Sequence, residues 1–179
     1  MRHNHYSDLA VTLLADLSNN PATSVAELVR RCEEGGFVAA PTHRADLPSV
    51  RVFIDEWTHV AETTDPDERS RLLNAMMAQA ATYPRLTNHD GHWHLHHRDE
   101  GVTLAHALKA WGSVGTATHL VTRGMSALGQ CQADDCTRIY ADTSRAGTRR
   151  FCSPACANRS AVRRHRERQR STVDRSATP

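Results

Sequence analysis

Through the first eighty residues, apolar positions recur at helical spacing and predict four helices. Leu9, Leu13, Leu14 and Leu17 form the first stripe, which Asn19-Asn20-Pro21 ends. Ser24-Val25-Ala26-Glu27 has capping-box spacing and opens a second helix with Val25, Leu28, Val29 and Cys32 on its apolar face. On that face Cys32 reads as a small buried hydrophobe. Leu47, Val50, Ile54, Trp57 and Val60 mark a third helix. Asp65-Pro66-Asp67-Glu68 begins the fourth, with a cap, a first-turn proline and acids at the positive end of the dipole. Its core face is Leu72, Leu73, Met76, Met77 and Ala80.

After Pro84 the period changes to two. The stretch 85–98 predicts a β-hairpin turning at Asn88-His89-Asp90-Gly91, with Trp93 and Leu95 toward the core and His92, His94 and His96 outward. His89, His92, His94, His96 and His97 are five of the chain's twelve histidines. Two of them with Asp90 or Asp99 offer a metal-binding alternative, but the expected role is the polar side of a half-exposed hairpin. A last body helix over 102–121 carries Leu104, Leu108, Trp111 and Val114 on one side. Gly112 and Gly115 weaken it by about 1 kcal/mol each. The chain therefore divides into a body, 1–123, a C-terminal module, 124–170, entered through a hinge at 124–129, and a disordered tail, 171–179.

Composition adds a class. With 39% hydrophobic and 23% charged residues, the chain fits a soluble globular protein and neither a collagen-like nor a disordered one. No apolar run can cross a bilayer, and Met1-Arg2-His3-Asn4-His5 is no signal peptide, so a cytoplasmic location without membrane contact is expected. The net charge of +2 hides a strong asymmetry: 12 arginines against five acids from Arg123 onward, and 10 basic against 15 acidic residues before it. An acidic body with a basic end suggests an anionic partner. Lys109 is the only lysine, so the use of arginine by itself carries little information.

Four of the five cysteines crowd into Cys131-x4-Cys136 and Cys152-x3-Cys156. In a chain without a secretion signal this crowding favours metal over disulfides, and two short loops of two cysteines each satisfy a tetrahedral Zn2+. Arg138–Ala141 predicts a strand, Ser144–Gly147 a turn and Thr148–Phe151 the returning strand. Ser153 then caps a helix whose first turn holds Pro154. The fold class that results is α+β: a mainly helical body with a β-hairpin, a treble-clef-like four-cysteine zinc finger and a C-terminal basic helix. One structural Zn2+ per chain, held by Cys131, Cys136, Cys152 and Cys156, leaves no position for a catalytic water.

The run Cys131-Gln-Ala-Asp-Asp-Cys136, then Tyr140-Ala-Asp142-Thr-Ser144, then Arg149-Arg-Phe-Cys152-Ser-Pro-Ala-Cys156-Ala-Asn158-Arg159 resembles the CGNR zinc-finger family. Pro84-Arg85-Leu86 and Trp93-His94-Leu95-His96 are similar to the ABATE domain that precedes this finger in proteins described as stress-induced transcription regulators. The resemblance implies a mixed α/β body, a four-cysteine zinc site and a role in transcription. The signature glycine of the family is Ala157 here.

No proline or glycine interrupts the chain after Cys156 as far as Arg170, which allows one helix of about 25 Å from Cys156 to Arg170. Arg159, Arg163, Arg166 and Arg170 share a face, flanked by Arg164 and Arg168. Such a helix fits the major groove, where arginine pairs with guanine or grips phosphate. The expected function is a DNA-binding transcriptional regulator whose body senses or assembles. The alternative is a zinc-stabilised module docking an acidic surface of the transcription machinery. No phosphate loop, nucleophile elbow or His-Glu-x-x-His motif is present, so no enzymatic activity is expected. A single short finger buries little DNA, which makes a homodimer or a protein partner part of the expectation.

Overall fold

The computed structural model describes residues 5–37, 46–88, 91 and 93–176. Among them, six helices, α1 (His5–Asn19), α2 (Val25–Glu34), α3 (Asp46–Glu62), α4 (Pro66–Ala80), α5 (Leu104–Arg123) and α6 (Pro154–Ser176), occur with four short strands. These are β1 (Arg85–Thr87), β2 (His94–His96), β3 (Leu128–Gln130) and β4 (Ile139–Ala141). Both strand pairs, β1–β2 and β3–β4, are antiparallel. The expected α+β class is the observed one.

The helices start where the sequence places their caps. Ser24 Oγ accepts from Glu27 N at 3.2 Å, and the Asp65 carboxylate accepts from Glu68 N at 2.7 Å. Glu27 reaches back one residue beyond the cap, to the N–H and hydroxyl of Thr23. Helix α5 is the axis on which α1, α3 and α4 pack. Its glycines have a packing role: a Cβ at Gly115 would sit 2.4 Å from Ala10 Cβ, and one at Gly112 2.8 Å from a Leu14 methyl. What α5 loses in propensity it regains by the close approach of α1. Trp57, fully buried, donates Nε1–H to Thr116 at 2.9 Å and fixes α3 to α5.

The β1–β2 hairpin forms in the register Leu86↔Leu95, but it faces the opposite way from the sequence expectation. Leu86, Trp93 and Leu95 are 67%, 70% and 49% exposed, while His94, His96 and His97 are half-buried. Period-two alternation tells which residues share a side; it does not tell which side turns inward. Polar contacts close the base of the hairpin. Thr82 N donates to His97 O at 2.7 Å, and Arg85 Nη2 donates to Arg98 O at 2.8 Å and pairs with Asp99. His89, Asp90 and His92 lie outside the described residues.

The C-terminal module is not joined through a hinge at 124–129. That stretch holds a 3-10 turn, Met125–Ala127, and then β3, and Leu128, Ile139 and Ala141 belong to the same core as the helices. Three polar contacts reinforce the seam. The Asn19 amide pairs with both backbone groups of Ile139 at 2.8 Å, extending β4 as another strand would. Arg123 grips Asp8 with two nitrogens, at 2.8 and 3.1 Å, and donates to Ser144 O at 2.9 Å. The Arg69 guanidinium, 4% exposed, donates to the carbonyls of Met125, Leu128 and Ala61. Helix α6 runs to Ser176, into the stretch expected to be a disordered tail, because no glycine or proline interrupts it.

Replacing Arg69 with Met keeps the side-chain length but leaves those carbonyls without a donor. The expected loss is about 3 kcal/mol in chemical denaturation, in a transition shared by the body and the finger. His119 gives a second check. Burial pushes its pKa below 6.5, against the opposing pull of Asp8. In an NMR titration its imidazole should therefore protonate below the ordinary value. Because the unfolded chain then binds the proton more readily, this histidine's share of stability is present above pH 6.5 and is lost as pH falls below it.

Candidate metal centre and basic helix

Strand β3 delivers Cys131 and β4 leaves from just beyond Cys136, so one hairpin carries the first pair of cysteines at its tip. Cys131 N donates to Arg138 O at 2.8 Å, and Cys136 N closes a turn on Ala133 O at 3.0 Å. The second pair stands at the start of α6. Ser153 caps this helix through its hydroxyl, which accepts from Cys156 N at 3.2 Å, and Pro154 follows in the first turn. Between the pairs lies Asp142, fully buried. It accepts from Ser144 N, Ser144 Oγ and Arg149 N at 2.6–2.9 Å. Burial alone would raise its pKa; these hydrogen bonds outweigh burial and hold it below the ordinary carboxylate value.

The sequence-predicted return strand over 148–151 does not form. The partner of β4 is β3, from before the first cysteine. Leu128 and Ile139 give this pair a buried apolar side, whereas 145–149 is exposed and the segment is linked to the knuckle by Gln132 N→Arg150 O. The order of knuckle and ligand-bearing helix stands as expected, with the hairpin flanking the knuckle.

All four Sγ atoms lie within 4.8 Å of one another. The Cys136–Cys152 and Cys152–Cys156 sulfurs are 3.6 and 3.7 Å apart. A tetrahedral zinc with Zn–S bonds of about 2.3 Å requires sulfurs about 3.8 Å apart, so the donor set fits one Zn2+. The chemistry agrees. Burial and crowding by neighbouring thiols push the Cys152 thiol up, while hydrogen bonding by Ser153 pulls the Cys156 thiol down. Four thiolates so close to one another need a cation among them. With every position filled by protein sulfur, the metal is structural.

The six predicted DNA-facing arginines do not stand alike. Arg159 donates Nη2–H to Cys156 Sγ at 3.4 Å and so faces the metal centre. Arg163 pairs with Asp134 of the knuckle and with Glu167 one turn on. Arg164, Arg166 and Arg168 are exposed, and no acid pairs with Arg164 or Arg166 among the described residues. The side chain of Arg170 lies outside the described residues. Arg145 and Arg149, absent from the sequence-predicted set, are also exposed on the loop before Cys152. The sequence signal for them was the arginine content of the segment between the cysteine pairs.

Elemental analysis of the purified protein should give one zinc per chain, and none after Cys152→Ser. Arg159→Ala should keep the stoichiometry yet weaken zinc roughly tenfold or more in chelator competition, as expected when a side chain that supports a metal ligand is removed.

No curated protein matches the chain. Residues 127–169, which hold the four sulfurs, the knuckle and the start of the helix, match the CGNR zinc finger.

Proposed function

We propose that this protein is a cytoplasmic, non-enzymatic DNA-binding transcription regulator that grips DNA through α6 and the adjacent arginine loop. The observation that carries the reading is the pair Arg164 and Arg166, exposed on a long helix and unpaired with any acid among the described residues. Helix α6 has 23 residues. At about 1.5 Å per residue it spans roughly 35 Å, a full turn of B-DNA. Arg145 and Arg149 add positive charge beside its N-terminal end. The four thiolates and one zinc bring a net charge of about −2, which Arg159 partly offsets, leaving the outer arginines to meet phosphate.

The arginines accordingly take different roles. Arg163 supports the module internally through Asp134, so its contribution to DNA is indirect. Arg164 and Arg166 are the direct contacts. The body, similar to an ABATE domain, acts as the platform that receives a signal and holds the finger in one orientation.

The test is duplex binding measured against salt. Arg164→Ala and Arg166→Ala should each weaken binding to random duplex and reduce the salt slope by about one. If either side chain reads a base, its removal costs a further roughly 1–3 kcal/mol at a preferred site. Arg163→Ala should instead raise zinc exchange. Unchanged binding in both outer variants would reject α6 as the DNA contact and favour docking to an acidic protein surface.

A further inference from the structure

We propose that the exposed apolar side of the β1–β2 hairpin is the contact surface of a two-fold homodimer. Leu86 and Leu95 are directly paired across the hairpin, and Trp93 lies two residues from Leu95 on the same side. Tyr83, 92% exposed, adjoins the start of β1. Half of the exposed large hydrophobics among the described residues belong to this one unit, the others being scattered over α3, α5, the 3-10 turn and α6. The Thr82–His97 backbone bond and the contacts of Arg85 with Arg98 and Asp99 close the base of the hairpin, whose apolar side is exposed while its imidazole side is half-buried.

A hairpin of two strands is marginal in water without something packed on its apolar side. Neither β1 nor β2 makes an extensive contact with another element, so that cover has to come from outside the described fold. The amount of surface indicates a second copy. Aromatic side chains offer about 150–250 Å2 each and leucines about 100–180 Å2, so the observed exposures amount to about 550 Å2 of apolar-rich surface per copy. Two copies face to face would bury about 1,100 Å2 in total, above the roughly 1,000 Å2 that a specific interface needs and at the small end of the range. The rim points the same way. It carries Arg85 and Arg98 beside Asp99 and Glu100, both signs together, which suits a partner with the same rim better than a partner of one sign. A two-fold axis through the hairpin would place apolar on apolar and acid opposite base.

The surface is separate from the arginines of α6, so the proposal stands whether or not the protein binds DNA. Its test is sedimentation velocity of the zinc-loaded full chain from about 1 to about 100 μM. A dimer is expected, with Leu86→Asp and Leu95→Asp each raising the dissociation constant at least tenfold while the zinc content stays at one. A measurement on the unmodified protein guards against misfolded variants. Trp57 and Trp111 are 0% and 7% exposed, so acrylamide quenching reports chiefly on Trp93 and should fall as the dimer forms. A wild-type chain that stays monomeric across the range overturns the proposal, whether Trp93 is quenchable or shielded. So does a dimer that survives both aspartate substitutions.

Discussion

A buried guanidinium with no carboxylate paired to it among the described residues gives its hydrogens to carbonyls, and Arg69 does this with its two terminal nitrogens at the seam between the body and the finger. It joins Ala61, at the end of α3, to Met125 and Leu128, where the chain enters the finger. Burial lowers its pKa, yet arginine starts so high that it stays charged. The cost of desolvating that charge is offset only while all three carbonyls are in reach, so the seam is either formed or broken. Leu128, Ile139 and Ala141 can share the helical core because this contact, with Asn19 on Ile139 and Arg123 on Asp8 and Ser144, keeps the β3–β4 pair on the helices. The finger is thus two structures in one. Its hairpin is part of the body, and its ligand-bearing helix depends on metal.

That split follows from the size of the two cores. Around the metal, the buried apolar groups are little more than Cys131, Ala133 and Cys156 with Phe151 beside them, too few to fold alone. Zinc supplies the missing free energy there. The arginines nearest the sulfurs complete the arrangement: Arg159 faces Cys156, and Arg163 bridges the knuckle to α6 through Asp134. Arg159 and Arg163 are thus committed to sulfur and to the knuckle carboxylate, whereas Arg164 and Arg166 have no acid paired with them among the described residues.

What could be read from the sequence follows from what local chemistry determines. The caps at Ser24 and Asp65, the helix stripes and the four zinc ligands depend on neighbours a few residues away, and all were legible. The orientation of the β1–β2 hairpin was not, because alternation is symmetric: it puts Leu86 and Leu95 on one side without saying which side meets water. Gly112 and Gly115 looked like defects in a helix; their reason is Ala10 and Leu14, about a hundred residues away in the chain. The β3–β4 pairing was missed because Leu128-Gly129-Gln130 is short and carries no turn signal of its own. The basic face of α6 was drawn from periodicity alone, which places Arg159 and Arg163 in line with Arg166 but is blind to Cys156 and Asp134 across from them.

The two outward surfaces act over different ranges. In the proposed function, the arginines of α6 would work through a field screened within about 10 Å at ordinary salt, which gathers an anion but fixes little geometry. An apolar contact at Leu86, Trp93 and Leu95 has no reach at all, yet it sets the relation of two bodies once made. The seam at Arg69 connects them. In the dimer proposed here, each finger is held to its own body by shared core and by buried polar contacts, not by a loose linker. The separation of the two basic helices would then be a fixed property of the assembly. If the proposed dimer binds DNA, its half-site spacing would be set by the hairpin contact and the seam together, although neither would touch a base.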